Sequence, residues 1–303
     1  MTNRVSTKLY IPHPTDPGIR ICGILEQLAP DQQTVGRKIA LILHGTMGHK
    51  DYLFQKRLAL KFPLDSFRFD FRLAYDDTLT PVLFHPSGNH ETGGVWKQGD
   101  LAGDLVDLQA VVDYLKGHYG YVIELLVGHS RGSVVAFRWL ATTVDGRKVP
   151  AFVNASGRYR MPKILESPGG TIWKEHFEKY GSYTWKVTVA RKPVTVVITP
   201  EDVQAFCNWD TSFVWDKFPH GTDVLTLHGL SDHTVPPYDA LIYARALSDR
   251  NPGTHTLNLM EGADHNFTGR QDEVVEAILQ WWTVREKKDI KTGIWIAGVR
   301  GKL

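Results

Sequence analysis

Cysteine, net charge and long apolar runs are all scarce in this sequence. Only two cysteines, Cys22 and Cys207, occur in 303 residues. They could pair in principle, but nothing else points to a disulfide-dependent secreted domain. The formal net charge is +2, which gives no electrostatic case for binding nucleic acid. No apolar stretch approaches the roughly 20 residues needed to span a bilayer. The opening Met1-Thr2-Asn3-Arg4-Val5-Ser6 lacks the apolar segment of a signal peptide. The closing Gly301-Lys302-Leu303 only loosely resembles the peroxisomal Ser-Lys-Leu address. A cytoplasmic location is the resulting expectation. No metal constellation or dinucleotide fingerprint is visible, so no cofactor is expected.

What is present is the make-up of an ordinary globule, 42% hydrophobic and 22% charged. The length allows one large α/β domain or two small ones. Apolar runs at Leu9–Ile11, Ile19–Leu28, Lys38–Leu43, Ser66–Phe71, Tyr121–Val127, Pro150–Ala155, Val224–His228 and Thr254–Met260 predict strands. Between them, helical spacing predicts helices over Tyr52–Phe62, Asp100–Tyr119, Ser133–Leu140 and Tyr238–Leu247, with another over Asp272–Arg285 and a short tail. This alternation implies a mostly parallel, doubly wound sheet. Residues 72–99 are rich in Gly and Pro and read as one long loop.

Residues 157–220 break the alternation. Eleven of these 64 residues are Phe, Trp or Tyr, against 11% aromatics in the whole chain. Lys186–Ala190 and Val194–Ile198 flank Arg191-Lys192-Pro193 and predict a β-hairpin. Thr199-Pro200-Glu201-Asp202 opens a helix, with threonine as N-cap. The segment reads as an inserted cap, dividing a core of residues 1–156 and 221–303. Its Trp173, Trp185, Trp209, Phe213 and Trp215 either line a pocket for an apolar or aromatic substrate or form the cap's own core.

Gly128-His129-Ser130-Arg131-Gly132 lies between a buried strand and a helix. The bare pentapeptide is short and common. In this context it is the nucleophile-elbow pattern, a tight turn that lifts the serine oxygen above the sheet. The helix N-terminus behind it offers free N–H groups for an oxyanion. Open parallel sheets build their sites at the carboxyl ends of strands, so a base and an acid are sought in the late loops. Thirteen histidines compete for the base. Only His265 combines a post-strand loop, a late position and the small approach Gly262-Ala263. For the acid, Asp232 competes with Asp264, Asp202 and Asp104, and it alone follows a core strand. His129 and His44 read as structural neighbours of the site, and His233 as a loop residue. The oxyanion donors expected are the backbone N–H groups of Arg131 and Thr46.

His44-Gly45-Thr46-Met47-Gly48-His49-Lys50, the Gly128–Gly132 turn, Asp232-His233-Thr234-Val235-Pro236 and Gly262-Ala263-Asp264-His265-Asn266-Phe267 together resemble the α/β-hydrolases. Within them the chain is similar to the cinnamoyl/feruloyl esterases and related serine hydrolases, whose members carry a small cap with a β-hairpin. The resemblance covers nearly the whole chain. It implies a triad of Ser130, Asp232 and His265, with Thr46 and Arg131 as oxyanion donors. Two stretches depart from the group's pattern: Ser133 replaces a second glycine after the elbow, and Leu73-Ala74-Tyr75-Asp76-Asp77 replaces a Gly-rich loop beside the acyl pocket.

The expected activity is hydrolysis of small to medium carboxylic esters through an acyl-enzyme. Thioester, amide or carbon–carbon cleavage uses the same triad, and a hydrolase fold can also serve as a binding or receptor module. The expected partner is a small-molecule ester, with no nucleic acid and no membrane span. Oligomeric state is left open, a homodimer being compatible.

Overall fold

The computed structural model describes residues 4–72 and 91–296. The departure at 73–77, most of the predicted 72–99 loop and the Gly301-Lys302-Leu303 tail lie outside the described residues.

In chain order the elements are β1 (Val5–Pro12), β2 (Arg20–Gln27), β3 (Lys38–Leu43), α1 (Gln55–Lys61), β4 (Asp65–Phe69) and α2 (Leu101–Tyr119). Then come β5 (Val122–His129), α3 (Arg131–Thr142), β6 (Ala151–Ala155), α4 (Pro168–Tyr180), β7 (Tyr183–Val189) and β8 (Lys192–Ile198). The chain continues through α5 (Pro200–Cys207), β9 (Asp223–Gly229), α6 (Tyr238–Leu247), β10 (His255–Met260), α7 (Gln271–Glu286) and β11 (Gly293–Ile296). Nine strands form one sheet in the order β1-β2-β4-β3-β5-β6-β9-β10-β11, and β7 pairs with β8 alone. Within the large sheet β2 is antiparallel to both its neighbours, and the remaining pairs are parallel.

The continuous apolar runs follow from burial on both faces. Ile39, Leu41 and Leu43 of β3 pack with α2, α3 and α6, whereas Ala40 and Ile42 pack with α1 and α7. Period-two alternation thus feeds two cores from one strand.

Four elements differ from expectation. The tail after α7 adds β11, parallel to β10 at the sheet edge. Helix α4, for which no helix is predicted, starts on a Ser167 cap that accepts from the Gly170 N–H and stops at Gly181 with φ +74°. Helix α1 covers only Gln55–Lys61 of the predicted Tyr52–Phe62. The hairpin turn is Ala190-Arg191, with φ of 51° and 69°, so Lys192 and Pro193 belong to a strand. Two left-handed residues are what a two-residue turn needs to match strand twist. The predicted N-cap of α5 is present as a capping box, Thr199 and Asp202 each accepting the other's backbone N–H.

A buried histidine in the sheet makes stability pH-dependent. His255 on β10 meets the Thr226 hydroxyl at 2.9 Å. Burial and the nearby Arg250 charge lower its pKa to about 3. The folded value lies below the unfolded one, so this contribution is full above about pH 6.5 and is lost as pH falls toward 3. Between those two limits unfolding takes up one proton, or about 1.4 kcal/mol of stability per pH unit. Denaturant titrations between pH 6 and pH 4 should show His255→Gln taking up one proton fewer than wild type. An unchanged slope would contradict this assignment.

Candidate active site

β5 ends at His129 and α3 starts at Arg131, leaving Ser130 alone in the turn at φ 52° and ψ −116°. A non-glycine residue in that region is strained. Close packing on both sides holds it there. A Cβ at Gly128 would stand 2.6 Å from the Ser133 nitrogen, and one at Gly132 would stand 2.6 Å from the His44 carbonyl. The Ser130 N–H donates to Ala155 O of β6 at 2.8 Å. Ser133, where the resembling group has glycine, donates its hydroxyl to Gly128 O at 2.7 Å and so ties the turn from beneath.

The structure brings Ser130, His265 and Asp232 together. His265 Nε2 lies 2.9 Å from Ser130 Oγ, across 135 residues of sequence. His265 Nδ1 lies 2.8 Å from Asp232 Oδ2. The loop after β10 supplies the histidine and the loop after β9 the aspartate. Asp232 Oδ1 accepts the N–H groups of Thr234 at 2.9 Å and Val235 at 2.7 Å. His228 Nε2 stands 3.3 Å from Asp232 Oδ2. Burial would raise the Asp232 pKa, but hydrogen bonds and charge from His228 and His265 outweigh it and hold the carboxyl well below its usual range.

The competing residues are occupied elsewhere. Asp264 is exposed and accepts the Asn266 and Thr268 N–H groups in its own turn. Asp202 sits in the capping box of α5, and Asp104 pairs with Arg131 at 2.6 Å. His233 is exposed. His129 is buried, and its Nε2 is 3.0 Å from the carbonyl oxygen of His265. Burial, with the neighbouring His265, lowers its pKa to about 3, so the neutral ring donates this bond. The residue before the serine therefore straps the backbone of the histidine facing it. His44 Nδ1 donates to Gly45 O at 2.8 Å while its Nε2 accepts the Phe71 N–H at 3.0 Å, which ties the loop after β3 to the end of β4.

Arg131 follows the serine in the chain, and Thr46 follows Gly45 in the loop after β3. Neither backbone N–H has an acceptor among the described residues, so both are available to a negative oxygen. Gly45 lies against the serine, since a Cβ there would stand 3.0 Å from Ser130 Cβ.

The aromatic residues are placed differently from the pocket reading. A recess bounded by Gly45 and Arg131 is walled by Met47, Phe71, Arg72, Trp96 and Asp104. None of Trp173, Trp185, Trp209, Phe213 and Trp215 lines it. Trp173 and Trp185 pack into the apolar cluster of the 157–220 segment. Trp209 and Phe213 pack on the main core, with the Arg138 guanidinium 4.9 Å and 4.4 Å from their ring centres. Trp215 is 48% exposed and donates to the Tyr159 hydroxyl at 2.8 Å. Apolar side chains without a partner sheet must build their own core, as Trp173 and Trp185 do, or join the main one, as Trp209 and Phe213 do. Trp96, which lines the recess, has no signal in the sequence, because it stands alone in a Gly-rich stretch without period. Among the described residues, no group of His, Cys, Asp or Glu could hold a metal ion. No helix among them is long and apolar enough to cross a membrane.

No protein-family model matches the chain. It is 28% identical to the uncharacterized protein YDL057W of Saccharomyces cerevisiae, over 77% of this chain and 69% of that one. Among solved structures it is similar to Est1E from Butyrivibrio proteoclasticus, with a TM-score of 0.63 and 19% identity over 92% of this chain and 99% of that one. It also resembles the Pyrococcus furiosus esterase Pf2001, with a TM-score of 0.60 and 16% identity over 91% and 93% of the two chains. XC6422 from Xanthomonas campestris, described as a serine hydrolase without a lid, gives a TM-score of 0.57 and 17% identity over 93% and 94%. With the nine-stranded sheet and the strained turn after β5, these likenesses show that the chain has the α/β-hydrolase fold.

Proposed function

We propose that this protein is a serine hydrolase that cleaves carboxylic esters through an acyl-enzyme, with Ser130, His265 and Asp232 as its triad. The observation that carries the reading is the continuous contact from Asp232 through His265 to a strained Ser130, at 2.8 Å and 2.9 Å. The esterases among its structural neighbours support the same chemistry, and one Est1E structure holds ferulic acid. Residues 1–156 and 221–303 serve as the catalytic core, and residues 157–220 as a cap over it.

In the forward step Ser130 Oγ attacks the ester carbonyl as His265 Nε2 takes its proton. The ionised Asp232 holds the Nδ1–H tautomer and stabilises the imidazolium that forms. The N–H groups of Arg131 and Thr46 receive the oxyanion, each worth on the order of 3 kcal/mol in the transition state. His265 then returns the proton to the departing alkoxide. Water, activated by the same imidazole, releases the acyl group and restores Ser130.

A fluorophosphonate probe should label the wild-type protein on Ser130 and leave Ser130→Ala unlabelled. Absence of wild-type labelling would overturn the reading. With nitrophenyl esters, Ser130→Ala should lose activity by at least about a thousandfold. A parallel panel of thioesters and anilides should be turned over more slowly than the matched esters.

Asp232→Asn should fold, because the amide oxygen can still accept the Thr234 and Val235 N–H groups. Its kcat should fall by about 10³ to 10⁴, the cost of losing the ionised partner of the histidine. A loss below tenfold in steady-state kinetics would place the orienting acid elsewhere.

A further inference from the structure

The side chain of Arg131 is committed as fully as its N–H is free. Its Nε donates to Asp104 Oδ2 at 2.6 Å, its Nη1 to Gln98 O at 2.6 Å and its Nη2 to Lys97 O at 3.3 Å. The guanidinium carbon lies 5.6 Å from the ring centre of Trp96. The arginine is buried with side-chain exposure of 5%, and Asp104 with 6%. A planar fork engaging one carboxylate and two successive carbonyls fixes both the position and the tilt of a backbone segment. The segment fixed here is Trp96–Gln98, and Trp96 forms a wall of the recess.

The same segment is held from the other side by the 157–220 insert. A Cβ at Gly99 would stand 2.5 Å from Asp202 O and 2.7 Å from Ala205 Cβ of α5. Trp96 is the member of the insert's apolar cluster that comes from outside the insert, packed with Trp173, Val196, Ile198 and Val203, and Met47 of the loop after β3 packs against that cluster. Arg72, which also lines the recess, is anchored in a comparable way. Its Nε meets Asp107 Oδ1 at 2.9 Å and its N–H donates to Asp107 Oδ2 at 3.2 Å, while His13 Nε2 holds Asp107 at 3.0 Å. Two buried carboxylates on α2, one turn apart, thus set both charged walls of the recess.

We propose that Arg131 and Asp104 form a positioning pair that sets acyl-group selectivity, Arg131 clamping Trp96 as the wall of the recess while its own N–H faces the reacting carbonyl. The inference rests on reading Ser130 as the acylating nucleophile. A fixed Trp96 limits the recess that Gly45 and Arg131, both neighbours of Ser130, bound on one side, so the pair holds the site to short or flat acyl groups. Loosening the clamp admits bulkier ones.

Nitrophenyl esters of rising acyl size, from acetate to octanoate, test this, with fluorophosphonate labelling of Ser130 measured in every variant. Arg131→Lys keeps a charge for Asp104 and the backbone N–H but cannot hold two carbonyls. It should raise the octanoate-to-acetate ratio of kcat/KM by about tenfold, a change of the size a hydrophobic pocket confers. Asp104→Asn should move the ratio in the same direction. Trp96→Ala removes the wall itself and should reproduce the shift in a protein whose clamp is intact, and Arg131→Lys added to it should shift the ratio no further. If Asp104→Asn does not fold, Arg131→Lys and Trp96→Ala still decide the matter. Labelling retained with a flat ratio in both variants, or full additivity of the two changes, overturns the positioning role and leaves Ser130 as nucleophile. A wild-type protein that does not label at all removes both.

Discussion

The structure turns on a close approach of backbone to backbone at the end of β5. The chain passes from an extended strand to a helix in one residue, and Ser130 alone absorbs the change at φ 52°. Nothing intrinsic to serine favours that conformation. It persists because Gly128 and Gly132 let α3 and the loop after β3 press on the turn, and because Ser133 and Ala155 bind it from below and beside. Local strain of this kind survives only where the surroundings over-determine it. The rigidity gained points one hydroxyl at one imidazole, and each later element of the site is built against that reference.

Charge is distributed around this reference with a clear division. The carboxylate of Asp232 is satisfied by two N–H groups and two histidines, which keeps it ionised in a buried place. Asp104 is the opposite case: burial raises its pKa to about 6 even though the Arg131 charge and hydrogen bond act to lower it. One aspartate is tuned to remain charged beside the histidine. The other carries the strain of supporting a cation in the interior, where a pair is costly to break because the partner left behind has no water.

Much of this was legible in the sequence. The buried strands announced themselves as short apolar runs, and the loops at their carboxyl ends held the serine, aspartate and histidine that the structure joins. Elements without a local signature were not legible. Ala190-Arg191 takes up a left-handed turn with neither glycine nor asparagine, so the sequence places the turn one residue late at its start and two at its end. β11 is four residues long and follows a helix, and α4 is polar over much of its surface. The role of the five aromatics stays open in the sequence for a deeper reason, since composition does not distinguish a small segment's own core from the lining of a cleft. The clamp of Arg131 joins residues 27 to 34 positions apart by single hydrogen bonds, and such contacts leave no periodic trace.

The His129 strap carries a further consequence, for how the site comes into being. It links the residue beside Ser130 to the carbonyl of His265, 136 positions away, with the whole 157–220 segment intervening. Loop closure over such a span follows the local ordering of helices and hairpins, because its entropy is lost before any contact repays it. The serine and its histidine stand on two flanking stretches of sheet that join where β6 pairs with β9. Their contact is in that sense a report on completed assembly: a chain with all its secondary structure but an unjoined sheet would carry Ser130 and His265 and leave them apart.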